Sequence, residues 1–304
     1  MDNLYDLIII GAGPAGITAG IYASRKAMNF LIITKDIGGQ AAWSGDIENY
    51  TGYQFITGPE LAQKFEEHMR KYNIHVKENE EITGLEKKGN IIYVRGAQNE
   101  YRAKTVIIAT GKRSRELGVP GEKEFKNKGV TYCATCDGPI FAGKETAVIG
   151  GGNSAMDAAL QMINIAKHVY IIDTAKELSG DIVMREKVRQ SAKATVFNNS
   201  RIIAVLGEKM VNRIKIQTPE GEKELPVEGI FVEIGLIPNS EFTGNLDKNE
   251  LKEIKVNCAN ETNIPGIFAA GDVTDVPEKQ IIIAAGEGSK ALLTAFRYLS
   301  TTGG

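Results

Sequence analysis

The sequence is poor in cysteine and histidine, nearly balanced in charge and free of long hydrophobic runs. It holds 3 cysteines and 3 histidines in 304 residues, with 36 basic and 38 acidic side chains. Cysteines so few and odd in number are unlike a secreted disulfide scaffold. The charge balance gives no footprint for nucleic acid or an anionic membrane surface, and no apolar run approaches the ~20 residues of a membrane-spanning helix. A first strand predicted at residues 7–10 leaves no room for a signal peptide, so we expect a soluble cytoplasmic protein.

The cysteines do not make up a metal site. Cys133 and Cys136 stand three positions apart in the stretch TYCATCDGP, but zinc normally takes four ligands. The other candidate ligands are Cys258, His68, His75 and His168. Because they offer no second pair at ligand spacing, we predict no metal. Cys258 is expected to be half-buried and without a redox role.

Two glycine motifs each follow a buried strand and open a helix. GAGPAG begins at Gly11, between a strand at residues 7–10 and a helix at 14–24, and GGGNSA begins at Gly150, after a strand at 146–149. In this context the small residues allow a tight turn and a close approach of the backbone to a pyrophosphate. The helix N-terminus then stabilises the phosphate charge. The pattern predicts two dinucleotide-binding sites, or one functional site and one vestigial site.

The order of the remaining segments indicates an insertion. ATG at 109–111 ends a strand of the first domain, and AAGDV at 269–273 ends another strand near the end of the chain. A chain of this length suggests two domains at ~100–200 residues each. We predict an α/β fold with two Rossmann-like domains, the second inserted into the first. The first domain comprises residues 1–113 and 244–304, and the second comprises 114–243.

Two further elements are predicted in the first domain. Residues 59–72 have the spacing of an amphipathic helix, and residues 81–102 form a meander that turns at Gly89-Asn90. The chain crosses between the domains near residues 112–116 and 235–242, which makes these segments candidate hinges.

Taken together, the motifs resemble those of the low-molecular-weight thioredoxin reductases, which are FAD-dependent pyridine nucleotide-disulfide oxidoreductases. The resemblance rests on GAGPAG, GGQ at 38–40, IENYTG at 47–52, ATG, CATCDG at 133–138 and AAGDV, and it covers essentially the whole chain. The stretch VPEKQIIIAAGEGSKA is also similar to the flavoprotein component of alkyl hydroperoxide reductase. That protein carries an additional N-terminal thioredoxin-like region, so we expect the thioredoxin reductase architecture.

The resemblance implies FAD as cofactor. The opening glycine motif would line its pyrophosphate, Gln40 and Asn49 would contact the ribityl and ring region, Asp272 would bond the ribityl chain, and Gln280 with Ile281 would approach the pyrimidine edge. The implied FAD residues are Gly11, Gly13, Pro14, Ala15, Thr34, Lys35, Gly39, Gln40, Asn49, Ala109, Thr110, Gly111, Gly271, Asp272, Lys279, Gln280 and Ile281. Plain structural roles remain open for Asn49 as a turn residue and for Asp272 as the cap of the last helix.

The resemblance also implies that CATC is a redox dithiol. Two intervening residues let both sulfurs bond or separate with little backbone movement. Cys136 would face the flavin, Cys133 would attack the disulfide of thioredoxin or a thioredoxin-like protein, and Asp137 would protonate the departing thiolate. Asp137 as a helix cap remains the alternative, whereas a structural disulfide closing so short a loop would stabilise little. A homodimer is expected.

The electron donor is left open between two candidates. NADPH-using relatives carry His-Arg-Arg-x-x-x-Arg after the second strand of the inserted domain, where this chain has Asp173 and no arginine. Asp173 lies about 20 residues after Gly152, the spacing at which an acid holds the ribose 2′-hydroxyl of NAD and repels a 2′-phosphate. The residues of a possible NADH site are Gly150, Gly152, Asn153, Ser154 and Asp173. The donor is then NADH, or a reduced ferredoxin if this site is vestigial.

Three other functions stay open beside thioredoxin reduction. They are a flavoprotein reductase of a peroxiredoxin system, a ferredoxin–nicotinamide reductase, which would not need CATC, and a redox sensor that signals through its disulfide. A basic cluster is a candidate docking surface for an acidic partner. It comprises Lys112, Arg113, Arg115, Lys123, Lys126 and Lys128.

Overall fold

The computed structural model describes residues 4–43, 46–47 and 49–302, without the side chains of residues 43, 46, 135, 136 and 302. The chain forms two compact units, residues 1–113 with 237–304 and residues 114–236. The second crossing thus falls between Leu236 and Ile237, ahead of the boundary at 243/244 that the sequence suggests. The α/β class with two parallel-sheet units confirms the predicted fold.

The first unit contains three long helices around one large sheet. Its helices are α1 (Pro14–Arg25), α2 (Gly58–Arg70) and α6 (Ile281–Thr302). Its strands are β1 (Leu4–Ala12), β2 (Phe30–Ile37), β3 (Asp46–Ile47), β4 (Ile56–Thr57), β5 (Val76–Lys77), β6 (Ile82–Lys88), β7 (Ile91–Gly96), β8 (Glu100–Ile108) and β19 (Ile267–Ala269). The predicted meander is confirmed, since β6 and β7 form an antiparallel hairpin around Gly89-Asn90 and β7 pairs with β8.

Strand β8 organises the sheet of the first unit. The order is β5-β2-β1-β8, and all these neighbours are parallel. On its other edge, the first half of β8 pairs with β7 and its second half pairs in parallel with β19. The carboxyl ends of β1, β8 and β19 therefore meet at one edge of the sheet, which is where open α/β sheets bind ligands.

The alternation of β1 explains its uninterrupted apolar run. Leu7 and Ile9 pack under α1 and α6, whereas Ile8 and Ile10 pack against the opposite face. All four are at most 3 % exposed. A strand buried on both faces has no polar positions to alternate with, as is usual for parallel sheets.

Helix α2 begins with a capping box, which shifts its start from the predicted residue 59 to Gly58. The Thr57 hydroxyl accepts a hydrogen bond from the Glu60 N–H, and the Glu60 carboxylate accepts one from the Thr57 N–H. These two bonds satisfy backbone donors that would otherwise lack a partner at the helix start. Leu61 and Met69 make up part of its buried face.

The second unit contains a five-stranded parallel sheet and a three-stranded antiparallel sheet. Its helices are α3 (Ala134–Asp137), α4 (Asn153–Ile165) and α5 (Ile182–Gln190). Its strands are β10 (Val130–Thr131), β11 (Glu145–Ile149), β12 (His168–Ile172), β13 (Ala194–Phe197), β14 (Arg201–Gly207), β15 (Val211–Thr218), β16 (Gly221–Pro226) and β17 (Gly229–Val232). The parallel order is β10-β17-β11-β12-β13, and the antiparallel order is β14-β15-β16.

Two short strands mark the places where the chain crosses between the units. They are β9 (Lys112–Ser114) and β18 (Leu236–Pro238), and they pair with each other. Both lie inside the segments that the sequence predicts as hinges. Among the described residues, no helix is both long enough and apolar enough to cross a membrane.

Candidate active site

A cavity of about 1350 Å³ opens in the first unit at the carboxyl ends of β1, β8 and β19. Every residue that the sequence assigns to FAD lines it. The sequence assignment missed several other lining residues, among them Glu81, Asn239, Glu241 and Phe242. The individual FAD contacts stay predictions.

The first glycine motif forms a turn in which Gly11 and Gly16 leave no room for a side chain. Gly11 has a φ of +106°, and a Cβ there would lie 2.4 Å from the carbonyl oxygen of Ala109. A Cβ on Gly16 would lie 1.9 Å from the carbonyl oxygen of Gly11, so this glycine lets α1 pack against the turn. Gly13 has nothing nearer than 4.0 Å to such a Cβ, which leaves its backbone open toward the cavity. This division of roles fits a bound pyrophosphate.

Asp272 presents a partly buried carboxylate toward the cavity. It follows β19, and its partial burial raises its pKa although Lys279 and Lys112 act in the opposite direction. Among the described residues, no hydrogen-bond donor contributes to this pKa. A partly desolvated carboxylate gains from a hydrogen-bond donor, so a ligand hydroxyl group fits this position. It does not cap the last helix, because α6 begins only at Ile281.

The remaining lining residues are held by specific contacts. The Thr34 hydroxyl accepts from the Ala12 N–H and donates to the Asp36 carbonyl oxygen, so it stabilises the chain after β2. Asn49 does more than form a turn, because its amide donates to Oε1 of Gln280 at 3.1 Å.

Asn239 closes the turn after β8. Its side-chain amide donates to the Thr110 carbonyl oxygen at 2.8 Å, and its own carbonyl oxygen accepts from the Thr110 hydroxyl at 2.7 Å. One signal for Asn239 was present in the sequence, namely that it is a polar residue just after the chain crosses between the units. This reciprocal pair therefore joins two segments of the first unit that are far apart in the sequence.

The dithiol segment lies in the second unit, after β10. Cys133 is partly buried and disulfide-bonded, and the backbone of Cys136 belongs to the short helix α3. The side chain of Cys136 lies outside the described residues, so its predicted role remains untested. Cys258 is a free, exposed thiol, and the expectation that it is half-buried is wrong. Across residues 4–43, 46–47 and 49–302, no three His, Cys, Asp or Glu side chains are placed to hold a metal ion.

Thr131 connects Cys133 to Asp137. Its hydroxyl accepts from the Cys133 N–H at 3.2 Å and donates to Oδ2 of Asp137. Asp137 occupies the N-cap position of a short 3-10 helix, Gly138–Phe141, but its side chain makes no capping hydrogen bond there. Its carboxylate is instead oriented by the same hydroxyl that fixes the backbone of Cys133. The only signal for Thr131 in the sequence was its place two residues before the cysteine.

A buried glutamate fixes the other side of the dithiol segment. Glu122 is 1 % exposed and accepts hydrogen bonds from the N–H groups of Leu117 and Gly118, both at 2.7 Å, and from the Tyr132 hydroxyl at 2.8 Å. Burial and the Glu122 carboxylate raise the pKa of Tyr132. Tyr132 precedes Cys133 directly, so the chain is held on both sides of this cysteine.

The second glycine motif forms the same kind of turn, but its surroundings are acidic. Gly150 has a φ of +127°, and a Cβ on Gly151 would lie 2.0 Å from Oδ2 of Asp173. The Asp173 carboxylate therefore sits against the turn itself. Ser154 is exposed, whereas the side-chain oxygen of Asn153 accepts from the Asp181 N–H at 2.8 Å.

Glu233 is an acid that the sequence assignment missed at this turn. It follows β17, and a Cβ on Gly150 would lie 2.2 Å from its carbonyl oxygen. Burial, and to a lesser extent the charge of Asp157, raises its pKa to about 7. A polar residue at the carboxyl end of a buried strand, as in FVEIG, was the available signal.

The residues of the predicted basic cluster are divided between the two units. The Lys112 side chain is only 12 % exposed and pairs with Glu253, and Arg113 pairs with Glu241. Both belong to the first unit, whereas Lys126 belongs to the second and lies over the Tyr132 ring. The buried Lys112 side chain is therefore removed from the candidate docking surface, whereas Arg113 remains about half exposed.

Comparisons with known proteins agree with this architecture. The family model for pyridine nucleotide-disulphide oxidoreductases matches residues 5–288. The chain is 42 % identical over 298 residues to a protein of Ferdinandcohnia aciditolerans named NADH dehydrogenase, covering 97 % of this chain and 57 % of that protein. It is 42 % identical over 305 residues to an alkyl hydroperoxide reductase component of Pseudomonas putida, covering 98 % and 59 %. The chain thus spans less than two thirds of the length of these curated relatives.

Solved structures of similar length also match the architecture of this chain. Thioredoxin reductase of Lactococcus lactis aligns with a TM-score of 0.85 at 34 % identity, covering 98 % of this chain and 99 % of that one. A ferredoxin-flavin thioredoxin reductase of Clostridium acetobutylicum aligns with a TM-score of 0.55 at 29 % identity, covering 98 % and 99 %. The chain belongs to the pyridine nucleotide-disulphide oxidoreductase family. It is an oxidoreductase with FAD as its cofactor.

Proposed function

We propose that this chain reduces the disulfide of thioredoxin or a thioredoxin-like protein through its Cys133–Cys136 dithiol. The observation that carries the proposal is the contact of one hydroxyl, that of Thr131, with both Asp137 and the Cys133 N–H. Such an arrangement suits a cysteine pair that exchanges protons as it opens and closes, because it places a carboxylate close to the cysteine backbone. The predicted homodimer and cytoplasmic location stay predictions.

The cavity of the first unit would hold the cofactor. Gly11 and Gly13 would line the pyrophosphate, Asp272 would accept a hydrogen bond from the ribityl chain, and Gln40 and Gln280 would lie at the ring end. Bound there, FAD supplies the transfer of two electrons between the donor and the disulfide. The cavity volume and the partly buried Asp272 carboxylate support this assignment.

The residues of the dithiol would act in two exchange steps. The Cys133 thiolate attacks one sulfur of the partner disulfide, which breaks the partner's S–S bond and forms a mixed disulfide. Asp137 gives a proton to the departing partner thiolate. The Cys136 thiolate then attacks Cys133, which releases the second partner thiolate and closes the Cys133–Cys136 disulfide. The partner gains two electrons and the dithiol loses two.

We further propose NADH as the donor. The Asp173 carboxylate lies against the Gly151 turn, which supports a role in binding a ribose 2′-hydroxyl, and it would repel a 2′-phosphate. The relatives named NADH dehydrogenase support this choice. Reduced ferredoxin is the alternative, supported by the similarity to a ferredoxin-flavin thioredoxin reductase. A peroxiredoxin-system partner is the alternative to thioredoxin, supported by the alkyl hydroperoxide reductase relatives.

One anaerobic experiment tests the donor and another tests the acceptor. Bleaching of the flavin absorbance is followed after NADH, NADPH or reduced ferredoxin is added separately, and NADH is expected to bleach fastest. Thioredoxin reduction is then compared between the wild type and Cys136→Ser. The variant should still accept electrons from the donor into the flavin but should not turn over thioredoxin. Undiminished turnover by Cys136→Ser would refute the dithiol mechanism, and fast bleaching by NADPH would refute the role of Asp173.

A further inference from the structure

A buried cluster of charges lies beside the cofactor cavity, and the dithiol mechanism does not use it. The Lys112 ammonium lies 2.7 Å and the Lys279 ammonium 3.3 Å from the same oxygen, Oε1 of Glu253. The three side chains are 12 %, 21 % and 7 % exposed. The second oxygen of Glu253 accepts from the amide of Asn249 at 2.6 Å. Both oxygens of this carboxylate are therefore occupied.

The cluster keeps its glutamate ionised. Burial alone would raise the pKa of Glu253, but the hydrogen bonds from Lys112 and Asn249 and the charge of Lys279 outweigh burial and lower it. Asp272 is the other acid that interacts with the two lysines. Two cations and two carboxylates thus formally cancel, so removal of any one of them leaves an uncompensated charge in a partly desolvated region.

Direct contacts connect the cluster to the ring end of the cavity. The side-chain amide of Gln40 donates to the Lys112 carbonyl oxygen at 2.6 Å. Lys279 directly precedes Gln280, whose side chain accepts from Asn49. Lys112 and Lys279 both line the cavity, together with these three polar residues. The ion cluster and the proposed ring contacts therefore form one continuous group.

We propose that Lys112 and Glu253 set the reduction potential of the bound flavin, with opposite signs. The inference rests on the FAD assignment proposed above for Gln40 and Gln280, but it does not depend on the identity of the donor or the acceptor. Reduction by two electrons and one proton adds one negative charge to the flavin. A poorly solvated cation nearby stabilises that charge, and a carboxylate destabilises it. The ammonium of Lys112 therefore favours the reduced state, and the carboxylate of Glu253 opposes it.

The test compares variants that remove one charge each, in protein that retains FAD. Midpoint potentials are measured during anaerobic reduction in equilibrium with a reference dye. Lys112→Met is expected to reduce the equilibrium constant for two-electron reduction about tenfold, which is about 30 mV for a two-electron couple. Glu253→Gln is expected to raise it by a similar factor. The double variant should return close to the wild-type value, since the two lost charges cancel.

A second measurement uses inorganic sulfite, whose addition also places a negative charge on the flavin ring. Its dissociation constant should rise in Lys112→Met and fall in Glu253→Gln. Lys104→Met is the matched control, because Lys104 forms an exposed pair with Asp6 in the same unit and lies outside the cavity lining. Neither its potential nor its sulfite affinity should change.

The two variants are expected to shift the midpoint potential in opposite directions. This separates an electrostatic effect from a structural disturbance of the site. Potentials that move in the same direction in both variants, or that do not move at all, would overturn the proposal. If Lys112→Met fails to hold FAD, Lys112→Arg keeps the charge and should keep the wild-type potential. A shifted potential in FAD-loaded Lys112→Arg would also overturn it. Failure of the proposed thioredoxin mechanism would give a different result. The two variants would show the expected shifts in potential, but the wild type would not turn over a disulfide substrate.

Discussion

The two glycine turns of this protein have nearly the same backbone and very different surroundings. Gly13 and Gly152 cap their helices with φ, ψ of −79°, −172° and −83°, −174°. Gly11 and Gly150, the first residue of each turn, both have strongly positive φ. Neither helix start has a side-chain capping bond, so in both turns the backbone N–H groups of the helix start remain available for an anion.

The residues around the two turns differ in how much space they leave for a ligand. The first turn faces the cavity of about 1350 Å³, which the partly buried Asp272 carboxylate also lines. At the second turn, the carbonyl oxygen of Gly151 accepts from the N–H groups of Ser179 and Gly180, both at 2.8 Å, so the loop after β12 packs on it. The comparison shows that glycines determine the turn, whereas residues at the ends of neighbouring strands determine what it can bind.

Substitution of the first glycine of each turn should separate the two turns most strongly. Gly11→Val requires a positive φ and a contact of 2.4 Å with the Ala109 oxygen, so we expect loss of FAD. The strained backbone alone costs about 1–3 kcal/mol. Gly150→Val meets the Glu233 oxygen at 2.2 Å and should weaken nucleotide binding while FAD remains. The flavin-to-protein absorbance ratio measures how much FAD each variant retains, and KM for NADH measures nucleotide binding by Gly150→Val. FAD retained at full occupancy in Gly11→Val would contradict the assignment of the first turn.

The dithiol segment of the second unit gives the next largest effect. Asp137→Asn should lower disulfide turnover by about 100-fold, the usual contribution of a general acid. Thr131→Val removes the hydrogen bonds to Asp137 and to the Cys133 N–H and should cost about tenfold, since an unpaired polar group costs about 1–3 kcal/mol. Thr131→Ser keeps the hydroxyl and should behave as the wild type. Equal turnover by the valine and serine variants would show that the hydroxyl has no part in the reaction.

A pH-dependent stability effect should distinguish the second turn from the first. The pKa of Glu233 is about 7 in the folded protein and 4.5 in the unfolded chain, so the folded state holds the proton more tightly. Its contribution to stability is full below about pH 4.5, falls as the pH rises to about 7, and then stays constant. Glu233→Gln should therefore raise the free energy of unfolding at pH 8 by at most roughly 3 kcal/mol. This gain is measured as a higher melting temperature. At pH 4.5 it should change little, and a gain of the same size there would exclude this cause.

The smallest effect concerns the choice of nucleotide. Asp173→Asn keeps the shape of the side chain and removes its charge. We expect KM for NADH to rise about tenfold, since a hydrogen bond to a charged group contributes about 1.5–3 kcal/mol. KM for NADPH should fall, because the repulsion of its 2′-phosphate is relieved. Asp181→Asn, at an exposed acid just before α5, serves as the control and should alter neither value. Parallel changes for both nucleotides would argue against selection by Asp173.

Local patterns in the sequence predicted several of the strands, α1 and the two glycine turns, whereas the residues of the cavity lining were implied by the resemblance to the thioredoxin reductases. Period and glycine placement fixed β1, α1 and the hairpin of β6 and β7, because each depends on residues close together in the chain. The motifs at the carboxyl ends of β1, β8 and β19 converge because parallel strands end at the same edge of a sheet. The predictions of β1, α1 and this hairpin needed no knowledge of distant contacts.

The partners of the polar side chains, in contrast, followed only from the folded chain. Thr131 with Asp137, Asn239 with Thr110, and Lys112 with Glu253 are pairs that no spacing rule relates. Lys112 stood in a run of basic residues and had the pattern of a solvated charge, yet folding buried it against an acid 141 positions away. Burial of the Lys112 charge requires an opposite charge or other polar partners around it, and these partners depend on which segments the folded chain brings together.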